Sequence, residues 1–246
     1  MNTLAVYRSL GAIDARSVAR DSMLRWMVML TPAFGLFLRF ALPPMAAALH
    51  VRFGFDLTTY YPLIVSFLPL VVAGMIGTVV GFLLLDQRDD ETITALLVTP
   101  LSLGDYLRYR IVALMLLSLS FSCLAVPLTG LTGTTPLQLL VTSVVAAPLA
   151  PIYALFLGSF AGNKVQGFAL AKVIGVVLVP CIVAYFVGSP WQIVFGLVPH
   201  YWPLKVFWLF DEAAVGAALV HAVMGLAWEG AVMALLLRRF AQVVRR

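Results

Sequence analysis

Six stretches of this chain, at residues 23–48, 61–85, 107–128, 137–160, 169–187 and 213–237, are predominantly apolar. Each approaches or exceeds the ~20 residues that carry a helix across about 30 Å of hydrocarbon. No water is present there to satisfy peptide groups, so the backbone must bond to itself, as helices or as a closed barrel. Barrel strands alternate apolar and polar residues, whereas Ile111 to Leu119 and Val173 to Val179 are apolar without alternation. The sequence therefore predicts an all-α polytopic membrane protein with six transmembrane helices. Composition agrees: 62% of residues are hydrophobic and only 11% charged, against roughly 25% charged in soluble domains.

An even number of spans places both termini on one side, and positive charge decides which. Of the 16 Lys and Arg residues, only Arg39, Arg52 and Lys205 fall on the far side. Both termini are expected to be cytoplasmic, in the inner or plasma membrane. The net charge of +5 is thus read as a topology signal and not as a nucleic-acid surface. Cys123 and Cys181 fall inside apolar spans and read as small hydrophobes. Residues 1–22 carry Val6, Leu10 and Ile13 near helical spacing among Arg8, Arg16 and Arg20, the pattern of an amphipathic helix lying in the headgroup layer. The N-terminal residues show no short apolar core followed by a small-residue cleavage site, so no cleaved signal peptide is expected.

Within the spans, Gly77 and Gly81 form a small-xxx-small pair that permits close helix approach. Arg39 lies in the outer part of the first span, either snorkelling to the headgroups or lining a polar cavity. Glu229, placed nearer the cytoplasmic end of the sixth span, either pairs with a cation such as Lys172 or lines a substrate route. Residues 188–212 contain only short apolar pieces, broken at Pro199-His200-Tyr201-Trp202-Pro203, and read as an external re-entrant or interfacial segment. His50, His200 and His221 have no metal-ligand spacing. Ser118, Ser120 and Ser122 read as packing groups, and Trp191, Trp202 and Trp208 as interface anchors.

The connection at residues 87–106 is the most informative. An acidic start at Asp89, Asp90 and Glu91 suits a helix N-terminus. Ile93, Leu96 and Leu97 share one helical face, Thr99 and Pro100 stop it, and Ser102 with Asp105 makes a capping-box pattern for the third span. A short amphipathic helix is expected there, joined rigidly to two spans. The inner leaflet is negative, so the acidic start favours a protein partner over the lipid surface.

This segment resembles the first cytoplasmic coupling region of ABC-2 type transporter permeases, on Glu91, Thr92, Leu96, Thr99, Pro100 and Ser102. Asn163-Lys164-Val165-Gln166-Gly167 with Lys172 is similar to the second cytoplasmic loop of small drug-export permeases of that family, of fluoroquinolone-export type. Residues 199–205 are similar to the segment preceding their last span. The resemblance covers nearly the whole chain as a single permease domain. It implies an ATPase-coupling interface of Asp89, Asp90, Glu91, Thr92, Ile93, Leu96, Leu97, Thr99, Pro100 and Lys164. It also implies a second permease subunit, identical or related, and a cytoplasmic ABC ATPase that binds the ATP and Mg. No cofactor is expected on this chain, because Gly162 to Gly167 is followed by Phe168 where a phosphate-binding loop needs Lys. A secondary transporter should show inverted repeats with breaks at midplane, and none is clear. An intramembrane enzyme needs a converging acid–base or metal set, and none can be assembled.

Overall fold

The computed structural model describes residues 16, 19, 20, 22–90 and 103–244. Most of the expected N-terminal interfacial helix and residues 91–102 of the coupling segment lie outside that set. Among the described residues the chain is helical, with no strand. The helices are α1 (Ser22–Phe53), α2 (Tyr61–Ser66), α3 (Leu68–Asp89), α4 (Leu103–Thr129), α5 (Pro136–Ala146), α6 (Leu149–Phe160), α7 (Lys164–Tyr185), α8 (Tyr201–Asp211) and α9 (Val215–Val244). Short 3-10 segments cover Leu57–Tyr60 and Pro190–Leu197.

Six of these units are long and apolar enough to cross a membrane: Met29–Phe53, Leu57–Asp89, Gly104–Thr129, Pro136–Phe160, Lys164–Tyr185 and Val215–Val244. They match the six expected spans, several with longer ends. Proline shapes two of them. Pro69 and Pro148 supply no amide to the helical ladder, and the second and fourth spans break beside them, into α2–α3 and α5–α6.

Spans two and four form the centre. In each, 72% of the apolar stretch is buried, against 17–28% in the other four. The reason lies in the small residues anticipated on α3. A Cβ on Gly77 would stand 2.4 Å from the Ala150 carbonyl oxygen and 2.7 Å from Tyr153 Cβ, and one on Gly81 would stand 2.7 Å from Leu157. Lipid tails are as apolar as leucine, so helices in a membrane associate through packing and not through exclusion of water, and close backbone approach maximises it. Gly35 does the same for α1 against the Ala125 carbonyl of α4. Gly77→Val is expected to lower the unfolding midpoint of the purified chain sharply, because the obstacle is backbone and overpacking costs about 1–3 kcal/mol even where side chains yield. Gly175→Val, which meets nothing within 4 Å, should leave the midpoint where it is. Equal midpoints for the two variants would contradict the packing described.

Residues 188–212 form a re-entrant hairpin. The 3-10 arm descends from Pro190 to Leu197, which reaches the depth of Trp228 in α9: the Trp228 indole donates to the Leu197 carbonyl at 3.1 Å. His200 turns beside Tyr153 of α6, and α8 climbs back. Its 11 residues span about 16 Å, half a bilayer. Nearly all of α8 is buried, from Tyr201 to Phe210. The Trp208 indole donates to Ser66 Oγ at 2.9 Å and the Gln138 amide to the Phe207 carbonyl at 3.2 Å. Trp202 and Trp208 are therefore core residues, whereas Trp191 stands 77% exposed, as an interface anchor should.

Arg39 is exposed near the middle of α1, with its guanidinium against Gly130, the residue of positive φ that follows the last residue of α4. A cation there meets the negative end of the helix dipole.

Candidate functional site: the basic end and the buried carboxyl

At the end of the bundle that holds Arg88, Arg108, Lys164, Arg238 and Arg239, α3 runs on past its apolar stretch. The charged run at Asp86 reads in sequence as the end of a span, yet the helix continues to Asp89. Each of three consecutive residues there reaches a different helix. Asp86 forms an ion pair with Lys164, the first residue of α7, at 3.0 Å. Gln87 Oε1 accepts from the Tyr106 hydroxyl at 2.5 Å and from Arg110 Nη2 at 2.8 Å, both on α4. Arg110 is buried and also donates from Nε to the Tyr106 hydroxyl at 3.1 Å. Arg88 donates to the carbonyls of Gly158, Ala161 and Gly162 at 3.1, 2.8 and 3.0 Å. Those are the free carbonyls at the end of α6, which need donors and favour a cation.

The short α6–α7 connection is also locked locally. Asn163 caps α7 by accepting from the Gln166 amide at 3.0 Å, and Gln166 Oε1 accepts from the Gly162 amide at 2.8 Å. Arg239 of α9 lies 4.6 Å from the Phe160 ring centre. Four spans thus meet at three adjacent residues of α3, one turn before the segment at 91–102.

Of the residues expected to contact a partner, Asp89, Asp90 and Lys164 are described; Glu91, Thr92, Ile93, Leu96, Leu97, Thr99 and Pro100 lie outside the described residues. Asp89 is the last residue of α3 and Asp90 its C-cap, with its amide bonded to the Asp86 carbonyl at 2.8 Å. Both side chains are exposed. Carboxylates at the carbonyl end of a helix oppose its dipole, so this pair weakens α3 and leaves an acidic point on a basic surface. Lys164 is held by Asp86, so it braces the connection.

Glu229 is fully buried midway along α9, not toward the basic end as the sequence suggests. The expected partner Lys172 is exposed on α7, and neither carboxyl oxygen of Glu229 has a hydrogen-bond partner among the described residues. Its helix α9 packs against α6, where the Tyr153 hydroxyl shares a hydrogen bond with His200 Nε2. His200 Nδ1 is buried and also without a partner among the described residues. Tyr153 and His200 make a buried polar pair in an apolar core. Sequence spacing gives no hint of it: 47 residues separate Tyr153 from His200, and the re-entrant hairpin brings them together.

A polytopic helical bundle with charged couplings at one end and an ionisable group at its centre has the make-up of a transport permease. The comparisons with known proteins agree. A profile of the Rv2686c-like fluoroquinolones export permease proteins matches residues 14–237. Two curated relatives from Mycobacterium tuberculosis are each 32% identical over 251 residues, covering 98% of this chain and 97% of the relative. They are the fluoroquinolones export permease protein MT2760 of strain CDC 1551 / Oshkosh and Rv2686c of strain ATCC 25618 / H37Rv. The chain belongs to the fluoroquinolones export permease family.

Proposed function

We propose that this chain is the membrane-spanning subunit of an ATP-binding cassette exporter that moves an amphipathic drug out of the cytoplasm. The basic end is cytoplasmic, with both termini inside, as the bias of Lys and Arg directs. The part of the 87–106 coupling segment that follows Arg88 docks on a separate ATPase subunit that holds the ATP and Mg, and a second permease copy or related chain completes the transporter. The substrate class follows the name carried by the relatives, whose stated role is fluoroquinolone export.

One observation carries this reading. The three residues that bind α4, α6 and α7 to α3 lie directly ahead of the proposed docking segment. A push on that segment is delivered to four spans together, as an ATPase-driven rearrangement requires. Asp89 and Asp90 mark its start with negative charge in a basic field, a recognition feature for a cationic site on the ATPase. Glu229 is assigned to the translocation path, because an ionisable side chain in a span is costly and persists for function.

The test is co-expression with the candidate ATPase and purification through a tag on this chain, with Ile93→Asp, Leu96→Asp and Leu97→Asp in parallel. The wild type should retain the ATPase and the variants should lose it while remaining folded. A permease that purifies without an ATPase in every case would overturn the coupling.

A further inference from the structure

At the end opposite the basic cluster, the re-entrant hairpin leaves two cavities that adjoin. One, of about 730 Å³, lies between the descending 3-10 arm and α9 and is almost wholly apolar, with Leu197, Met224, Trp202 and Trp228 in its wall. The other, of about 470 Å³, lies between α7, α8 and α9 and is polar, with Lys205, Glu212 and His221 in its wall. Ile193 lines both. The partition between them includes Trp202 against His221, with ring centres 6.2 Å apart.

Each compartment has a definite chemistry. Both tryptophans of the apolar one spend their indole N–H groups on backbone, Trp202 on the Gly196 carbonyl at 3.0 Å and Trp228 on the Leu197 carbonyl at 3.1 Å. Nothing polar is left on these rings, so they offer flat aromatic surface in fixed positions. In the polar compartment, Lys205 and Glu212 are seven residues apart on α8 and its end, hence on one face. Neither is ion-paired among the described residues. His221 donates from Nδ1 to the Ala217 carbonyl at 2.8 Å, which leaves Nε2 as an acceptor.

We infer that these two compartments form one binding site for an aromatic zwitterion, its planar body between the tryptophans and its acid and amine groups on Lys205 and Glu212. The inference rests on the exporter reading above and assigns the site to the exit half of the path. Both volumes fall in the range of small-molecule sites.

The test uses the purified full-length chain in detergent, with quenching of tryptophan fluorescence as the readout. The probes are ciprofloxacin, which carries a carboxylate and an ammonium, and nalidixic acid, which carries the carboxylate alone. Lys205→Ala should weaken both by about tenfold, the scale of a lost charge-assisted hydrogen bond. Glu212→Gln should weaken ciprofloxacin by about tenfold and leave nalidixic acid unchanged. Trp228→Leu should weaken both. Unfolding midpoints equal to wild type for Lys205→Ala and Glu212→Gln confirm that the fold is intact. Wild-type affinity for ciprofloxacin in both charge variants would place the drug elsewhere and overturn the inference, with ATP-driven export by the wild type leaving the exporter reading intact. Displacement of ciprofloxacin by added phosphatidylethanolamine would show that the site serves a lipid and would also overturn it. A wild type that neither binds nor exports the drug would remove both readings.

Discussion

Replacing Glu229 by Leu is expected to raise the stability of the purified chain and to reduce its drug export by at least about tenfold. The two effects have separate causes. Both carboxyl oxygens are buried with no partner among the described residues, and a buried polar group left unsatisfied costs about 1–3 kcal/mol, more when charged. Leucine is close in volume and leaves no such debt, as with other buried ionic groups exchanged for apolar ones. The unfolding midpoint should therefore move up. A group retained at that cost in the middle of a span is retained for function, so export, measured as ATP-driven uptake of drug into inverted vesicles, should fall. Glu229→Gln, which keeps the shape and removes the ionisable group, separates loss of the acid from loss of polarity. Full export in Glu229→Leu vesicles would make the residue a packing element and remove it from the path.

Arg88→Ala should lower the unfolding midpoint and export together. Arg88 supplies donors to three carbonyls at the end of α6, and the methyl group of alanine supplies none. Hydrogen bonds to charged groups contribute about 1.5–3 kcal/mol each in favourable cases. Arg88 is partly exposed, which reduces that figure. A loss of about 2 kcal/mol corresponds to roughly 4–8 °C for a chain of this size. Arg88→Lys should recover only part, since one ammonium cannot replace a planar fork that reaches three acceptors. On the proposed exporter reading the ATPase should still co-purify, because the docking part of the coupling segment, beyond Arg88, is untouched. Retained ATPase with lost export is the signature of a broken transmission. Wild-type export in Arg88→Ala would show that α3 and α6 move independently.

The spans, the basic bias and the Gly77–Gly81 contact were legible because each is written locally: in twenty consecutive residues, in one loop, or in a four-residue spacing. The end of α3 was not. The polar run Asp86, Gln87 and Arg88 reads as the boundary of a span, and their partners are residues of α4, the α6 end and α7, which no local pattern links to them. Glu229 was visible as an ionisable residue in an apolar run; of the two roles left open for it, pairing with a cation such as Lys172 is not seen, since neither carboxyl oxygen has a partner among the described residues. The hairpin at 188–212 was visible through Pro199 and Pro203. Its depth was hidden, because tryptophan serves equally at an interface and in a core. Hydrogen bonds from Trp208 to Ser66 and from Gln138 to Phe207 decided between them.

The hairpin also sets an order of biogenesis. A helix of 11 residues is too short to insert across a bilayer unaided, and its free ends cannot be left in hydrocarbon. The wall it packs against is built partly from α5, made earlier, and partly from α9, made last. Until α9 is in the membrane, with Gly225 seated on Trp202, α8 has only half of its berth. The packing of α8 is complete only when both α5 and α9 are in place. A chain that stops short of α9 therefore leaves α8 without the wall that Gly225 supplies.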